Sequence, residues 1–366
     1  MLGSILVVGG SLSGLSTALA LAQRGANVTV LERSVGEPPG GAGMGVDLDL
    51  LRDAVGLDPR NVSPRVPVVT GNRYSTSWAA LRTWLWAMAK ASASITLREG
   101  VTVMEVTQTV DRAWVTDDEG GSHVADLIIG ADGYRSVVRA AVAPRRPQAR
   151  FAGYVLWRGL IEEPSLPRDT PWPDSWVRVM HTSRYRLVAY PVPGSDGALD
   201  PGRRQISWAW YDPDRRALFS RLGCLDGDHV VATLTGDRIP APVLEELIDL
   251  ARASWTRPWR EAIVTSLQAQ RAFATPVAEY LPERLANGRV AILGDAAHVA
   301  SPMTGRGFTT ALHDVIALAE AVSGGVTSTR GQLALSQYER SRLQADRALV
   351  HSSRLWGTQY LAAVGR

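Results

Sequence analysis

The stretch ILVVGGSLSGLS, residues 5–16, runs an apolar, β-branched segment into a glycine turn and then into a helical pattern. A dinucleotide-binding turn uses its first glycine for the tight bend, its second for phosphate approach and its third for packing helix on strand. Gly9 and Gly14 fill the first and third places, and Ser11 stands in the second. Serine is a mild replacement, small and able to donate a hydroxyl proton to a pyrophosphate at a helix N-terminus. The helical pattern LSTALALAQRG stops at Gly25, and ANVTVLER continues as a second buried strand ending at Glu32 with Arg33 beside it. An acid at that place suits a ribose diol and disfavours a 2′-phosphate, leaving NAD or FAD as the occupant. A plain glycine turn with a surface glutamate is the competing reading, and the strand-helix-strand context weighs against it.

The rest of the composition narrows the class. A chain of 366 residues has room for roughly two domains. Lys90 is the one lysine in a chain of net charge +3, and the arginines are spread along the sequence, so no clustered basic face suggests nucleic acid. Cys224 is the one cysteine, which excludes an intrachain disulfide, and no Cys/His spacing suggests a metal. No basic n-region precedes the first apolar run and no apolar segment has the length of a spanning helix. The expectation is a cytoplasmic protein with no membrane or metal partner.

Along the chain, SWAALRTWLWAMAKAS reads as helix and ADLIIGADG as a buried strand entering a turn. From residue 151 to 275 the texture becomes β-branched and aromatic between Pro, Gly and Asp turns, as in an antiparallel sheet. After it, GRVAILGDAAH returns to strand and turn, and two helical stretches come next. The fold class expected is α/β with an α+β insert: a Rossmann-like domain in two parts, 1–150 and 276–345, an inserted β-sheet substrate domain at 151–275, and a C-terminal helix at 346–366.

Two further turns specify the cofactor. DLIIGADGYRS sets Asp132 and Gly133 after a strand, and AILGDAAHVASPMTGRGF sets Gly294 and Asp295 after another, then Pro302 and the turn Gly305, Arg306, Gly307 opening a helix. With the opening turn, these motifs make the chain resemble the FAD-dependent aromatic hydroxylases of the p-hydroxybenzoate hydroxylase type over almost its whole length. GGSLSGL, GYVLWRG and LVAYPVPG followed by SWAWY are most similar to the 2,6-dihydroxypyridine 3-monooxygenase branch, which also tolerates serine in the opening turn. The resemblance implies FAD, with Gly9, Ser11 and Gly14 on the pyrophosphate, Glu32 on the adenosine ribose, Arg82 reaching the cofactor, and Asp295 on the ribityl chain. An ordinary exposed helix arginine is an equal reading of Arg82. The resemblance further implies cofactor and nicotinamide contacts for Asp132 and Gly133, and a place beside the flavin ring for residues 40–46, including Gly43 and Met44. Arg306 departs from the family's glutamine, and Thr309 from its asparagine. An arginine there would stabilise reduced flavin or face a carboxylated substrate.

The activity implied by the resemblance is that of a monooxygenase that takes hydride from NADH or NADPH, uses O2, and hydroxylates a phenol or hydroxylated N-heteroarene through a flavin C4a-hydroperoxide. The scaffold also carries epoxidases, reductases and cyclases with structural flavin, so these stay open. Deprotonation of a phenol needs a base or relay. His298, Tyr190, His181 and Tyr211 are the candidates, although the bland reading is favoured for His298, which belongs to the shared GDAAH motif, and for His181 and Tyr190. Trp157, Trp208, Trp210 and Tyr211 are candidates for an aromatic wall, with core filling as the equal reading for the Trp208 and Trp210 pair. The expected partner is a small aromatic molecule; a homodimer is the commonest closed assembly.

Overall fold

The computed structural model describes residues 3–36, 41–71, 73–170, 177–213, 215–327 and 329–364. The opening motif folds as strand Ser4–Val8, helix Leu12–Gln23 and strand Asn27–Glu32, the two strands running parallel. Ile5, Leu6, Val7 and Val8 are buried against Leu12, Leu15, Ala18 and Leu19 of the helix. That stripe at helical spacing is what fixes helix on sheet. Gly25, at φ 86°, ends the segment in a conformation that glycine tolerates best.

Among the described residues the first sheet has six strands. Their order is Ala286–Asn287, Val290–Ile292, Leu127–Gly130, Ser4–Val8, Asn27–Glu32 and Ile95–Glu99, parallel except at the first pair. The chain leaves Ser4–Val8 toward one side and later returns on the other, so the crevice lies beyond the carboxyl ends of Ser4–Val8 and Leu127–Gly130.

The second large sheet belongs to the insert. Its long strand Arg150–Glu162 pairs antiparallel with Gln205–Pro213 on one side and Ala272–Glu279 on the other. Strands Arg186–Val192 and Arg178–His181 extend it outward. Helices Ala241–Ser254 and Trp259–Gln268 cover one face, burying Leu247, Ala251, Ile263 and Leu267 with Trp157, Trp208 and Trp210. The other face meets the first domain: Gly43 N–H donates to Ser207 Oγ at 3.0 Å, and Ser75 Oγ donates to the Pro191 carbonyl at 2.9 Å.

Two expected boundaries move. The insert's sheet runs through Glu279, so an end at 275 falls inside a strand, and a single helix Thr329–Val364 spans the expected break at 345. The strand continues because its alternating residues cover both faces of the sheet, and the helix continues because Tyr338, Leu349, Val350 and Ser353 keep one buried stripe. Among the described residues no helix is long and apolar enough to cross a membrane.

Candidate active site

The opening turn is shaped by the close approach of its own backbone. A Cβ on Gly9, at φ 108°, would strike the Ala131 carbonyl, and one on Gly14 would strike the Gly9 carbonyl. Ser11 caps the helix with extended backbone while its side chain makes no capping bond. Glu32 accepts the Gly10 N–H at 2.7 Å and the Ser34 N–H at 2.9 Å, and Arg33 beside it is exposed. Arg82, on helix Trp78–Ala91, is 4% exposed. Its Nε donates to the Gly10 carbonyl at 3.1 Å, its guanidinium lies 4.8 Å from the Trp86 ring centroid, and its Nη2 has no partner. A buried guanidinium donor left unpaired at such a turn fits a pyrophosphate, which accepts from arginine with matching geometry.

The two acid-glycine turns differ. Asp132 accepts from Ser136 Oγ at 2.6 Å, Val137 N–H at 2.7 Å and Val138 N–H at 3.2 Å, so its carboxylate is committed to its own turn. Burial raises its pKa against the pull of those bonds. Gly133 comes next at φ 78°. The Asp295 side chain has the accessible area of a surface residue although protein surrounds it closely, the signature of a group projecting into a cleft, and burial raises its pKa. Arg139, which sequence reasoning missed, ties the turns together through the Ala296 carbonyl at 2.6 Å, Asp295 at 2.9 Å, Tyr134 at 3.0 Å and Gly133 at 3.3 Å. No motif marks it, because its partners are backbone carbonyls far apart in sequence.

Helix Gly307–Ala321 starts after the turn Pro302–Thr304 and Gly305 at φ 60°. Side chains at Gly305 or Gly307 would meet open space, and exposed Arg306 is the N-cap. An open helix N-terminus presents free N–H groups and a positive dipole end, which favours an anion there. Together the turn, Arg82, Asp295 and this helix end fit FAD: pyrophosphate, ribityl hydroxyls and a flavin ring that becomes anionic on reduction. Gly43 and Met44 lie on strand Gly43–Val46 beside the insert; a Cβ on Gly43 would come within 2.6 Å of Ser207 Oγ and 2.9 Å of the Tyr190 ring. Gly40 lies outside the described residues.

Facing this is the open side of the insert's sheet. Alternate residues of a strand share a face, and the register sets Arg158 beside Ala209 and Ala209 beside Val188. Around them on the same face stand Tyr211 opposite Arg186, and Ser207 opposite Tyr190. Ala209 and Val188 are partly exposed and form a small apolar floor inside this polar rim. Burial pushes the Tyr190 hydroxyl up to about 12, against the bond with Ser207 and the charge of Arg158, and burial raises Tyr211 as well. Both therefore stay protonated at neutral pH and can donate.

Three of the aromatic-wall residues do not belong to this face. Trp157, Trp208 and Trp210 are at most 1% exposed and lie on the helix-covered side, with Trp157 Nε1 donating to Asp212 at 3.0 Å and Trp208 Nε1 to Ser266 Oγ at 3.0 Å. Strand alternation told which residues share a face, but not which face the cofactor takes. His298 is likewise enclosed, at 0% exposure, with Nε2 2.7 Å from Asp314. Burial alone would lower its pKa, but the charge and hydrogen bond of Asp314 overcome that and raise it to about 9. Arg342 donates to Asp314 and Asp346, each at 2.8 Å, so the acids that converge with His298 already hold a cation. A charged, sealed imidazole cannot serve as substrate base. His181 is exposed on the outermost strand, opposite Arg186. Arg158 is the site-facing group that sequence reasoning passed over, inside a strand quoted for its texture.

A family model described as an NAD(P)-binding Rossmann-like domain matches residues 7–45, one described as FAD binding domain-like matches 151–270, and one described as an FAD binding domain matches 245–353. The 2,6-dihydroxypyridine 3-monooxygenase of Paenarthrobacter nicotinovorans is 29% identical over 95% of this chain and 89% of its own length. The 3-hydroxybenzoate 6-hydroxylase of Klebsiella oxytoca is 26% identical over 98% of this chain and 89% of its own. The solved structure of 2,6-dihydroxypyridine-3-hydroxylase from Arthrobacter nicotinovorans superposes with a TM-score of 0.80 at 24% identity, covering 98% of this chain and 93% of that one. The order of the three turns, the cleft they line and these likenesses over nearly the full length agree: the chain is similar throughout to the FAD-dependent aromatic hydroxylases, and it is an FAD-dependent monooxygenase.

Proposed function

We propose that the protein hydroxylates a small phenolic or hydroxylated N-heteroaromatic molecule, consuming NAD(P)H and O2. The observation that carries this is the pairing of the FAD-fitting turns with a sheet face whose apolar floor, Ala209 and Val188, is rimmed by Arg158, Ser207, Tyr190 and Tyr211. When bound, FAD reduced by NAD(P)H activates O2, placing one oxygen atom on the substrate ring and releasing the other as water. The protein's part is to hold and enclose. Arg82, Ser11 and the turn amides hold the pyrophosphate, Asp295 accepts from the ribityl hydroxyls, and the helix end at Gly307 steadies negative charge on the reduced ring. The sheet face orients the substrate and keeps water from the reacting atoms. Tyr190 and Tyr211 hold their protons and act as hydrogen-bond donors that position a substrate oxygen.

The test is oxidation of NADH and NADPH by the FAD-loaded protein in air, with and without hydroxylated benzoates and hydroxypyridines, under labelled O2. A product carrying one labelled oxygen is expected. Substrate-stimulated oxidation without label in any product would sink the monooxygenase assignment in favour of a reductase, and turnover without NAD(P)H would point to a cyclase.

A further inference from the structure

The serines of helix Thr329–Val364 are of two kinds. Ser336 Oγ donates to the Gln332 carbonyl at 2.9 Å and Ser341 Oγ to the Tyr338 carbonyl at 2.8 Å, the usual closure of a helical serine on its own backbone. Ser353, at 0% exposure, bonds outside its helix on both sides. Its Oγ donates to Glu279 Oε1 at 2.7 Å, at the end of strand Ala272–Glu279, and accepts the Ser301 N–H at 2.7 Å.

Ser301 leads into the turn Pro302–Thr304 ahead of helix Gly307–Ala321. Its carbonyl accepts Thr304 Oγ1 at 3.1 Å, and Thr304 Oγ1 accepts the N–H of Arg306, the N-cap, at 3.3 Å. From Arg306 to Glu279 every donor thus points the same way: Arg306 N–H to Thr304, Thr304 hydroxyl to Ser301, Ser301 N–H to Ser353, Ser353 hydroxyl to Glu279. A hydroxyl carries one proton and can turn either way, whereas an ionised carboxylate only accepts. The acid at the end of the row therefore fixes the Ser353 proton, and with it the lone pair that meets Ser301. Bonds aligned head to tail also polarise and strengthen one another. Glu279 is 8% exposed, and its other oxygen lies 3.6 Å from Arg354 Nε. Burial raises its pKa, while Ser353 and Arg354 hold it down.

The other end of the row needs such a hold. A side chain at Gly305 or Gly307 would meet open space, so packing at the glycines does not aim the helix end. The row of bonds does, together with Met303, which is buried with Tyr154 and Tyr211.

We infer that Ser353 is a positioning residue for the cofactor: oriented by Glu279, it holds through Ser301 the turn that aims the Gly307 helix end at the flavin ring, and so sets how strongly reduced flavin is stabilised. This rests on that helix end facing the ring.

The experiment measures the flavin reduction potential of FAD-loaded wild type, S353A, S353C, S353T and W208F by spectroelectrochemical titration, together with the affinity of each for oxidised FAD. S353A removes the bonds without changing any charge, and S353C fills the space with a thiol that bonds weakly. In both, the preference for reduced over oxidised flavin is expected to fall about threefold to tenfold, the size of a helix-dipole contribution, or ~15–30 mV for a two-electron couple. Affinity for oxidised FAD should stay within about twofold, as for independent sites, because the Arg82 turn holds the pyrophosphate end. S353T, which restores the hydroxyl, recovers the wild-type potential, and W208F, a core change away from the turn, keeps it. Wild-type potentials in S353A and S353C overturn the inference, and so does a W208F shift as large as theirs, which would reduce the effect to general loosening. S353C decides alone where S353A does not fold. A potential moved by R306Q, at the N-cap of the same helix, but not by the Ser353 variants leaves the helix end on the ring and sinks the role of Ser353 alone. A wild-type protein that cannot be loaded with FAD fails the cofactor assignment itself.

Discussion

Arg82 holds its turn through one nitrogen and leaves another unpaired beside it. If that nitrogen serves the pyrophosphate, R82A should weaken FAD binding by about tenfold or more, as expected for a lost hydrogen bond to a charged group. Titration of the FAD-free protein with FAD measures this, and unchanged affinity would return Arg82 to a packing role over Trp86. Arg306 makes a second case. It caps the helix whose N-terminus opens onto the cleft, so its charge adds to the helix dipole. Replacement by glutamine is expected to lower the flavin reduction potential, read by spectroelectrochemical titration; an equal potential in both proteins would show that Arg306 does not face the ring. Trp208 illustrates the opposite kind of residue. W208F removes the donor to Ser266 and leaves space in a sealed core, so it should cost about 1–3 kcal/mol in urea unfolding while leaving KM within about twofold.

At the scale of elements, the glycine-acid turns could be read directly because each is a local backbone demand: Gly9, Gly133 and Gly305 all sit at positive φ where the chain must bend. The helices that roof the insert were as regular in pattern, Leu244, Leu247 and Ala251 recurring at helical spacing, but the surrounding strands masked them. What no local pattern carries is the side of a sheet. Trp208 and Ser207 are neighbours in sequence, one under helices and one against Gly43, and only the docking of two domains decides which is which. Arg158 was hidden for a related reason. That it faces the cleft is a property of everything around it, not of the strand that bears it.

Across the whole molecule, helix Thr329–Val364 spans about 54 Å at the usual rise of an α-helix and touches both domains. Tyr338 Oη donates to the Ile292 carbonyl in the first sheet at 3.0 Å, and Ser353 Oγ donates to Glu279 in the second at 2.7 Å. Between these contacts Arg342 and Asp346 join His298 and Asp314, and Asp314 also accepts the Gly294 N–H at 3.2 Å. The folded pKa of His298, about 9, lies above its ordinary 6.5. A raised value means stability fully present below pH 6.5 and lost as pH rises through 9. Wild-type protein should therefore lose on the order of 3 kcal/mol over that window relative to H298Q, measured by denaturant unfolding at fixed FAD. Burial and the neighbouring Asp314 charge raise Asp346 as well, but its loss falls at lower pH, which leaves the upper window to the imidazole.

The last turns of that helix reach further still. Tyr360 Oη donates to the Tyr211 carbonyl at 2.9 Å, with its ring edge-on to Tyr154 at 5.5 Å. The strand proposed as the substrate wall is thus buttressed by a residue some 150 positions downstream in the chain. The same tail side chains pack against the cluster that holds Met303, in the turn ahead of helix Gly307–Ala321, so rebuilding them would press on the proposed chamber and on that turn together, from behind.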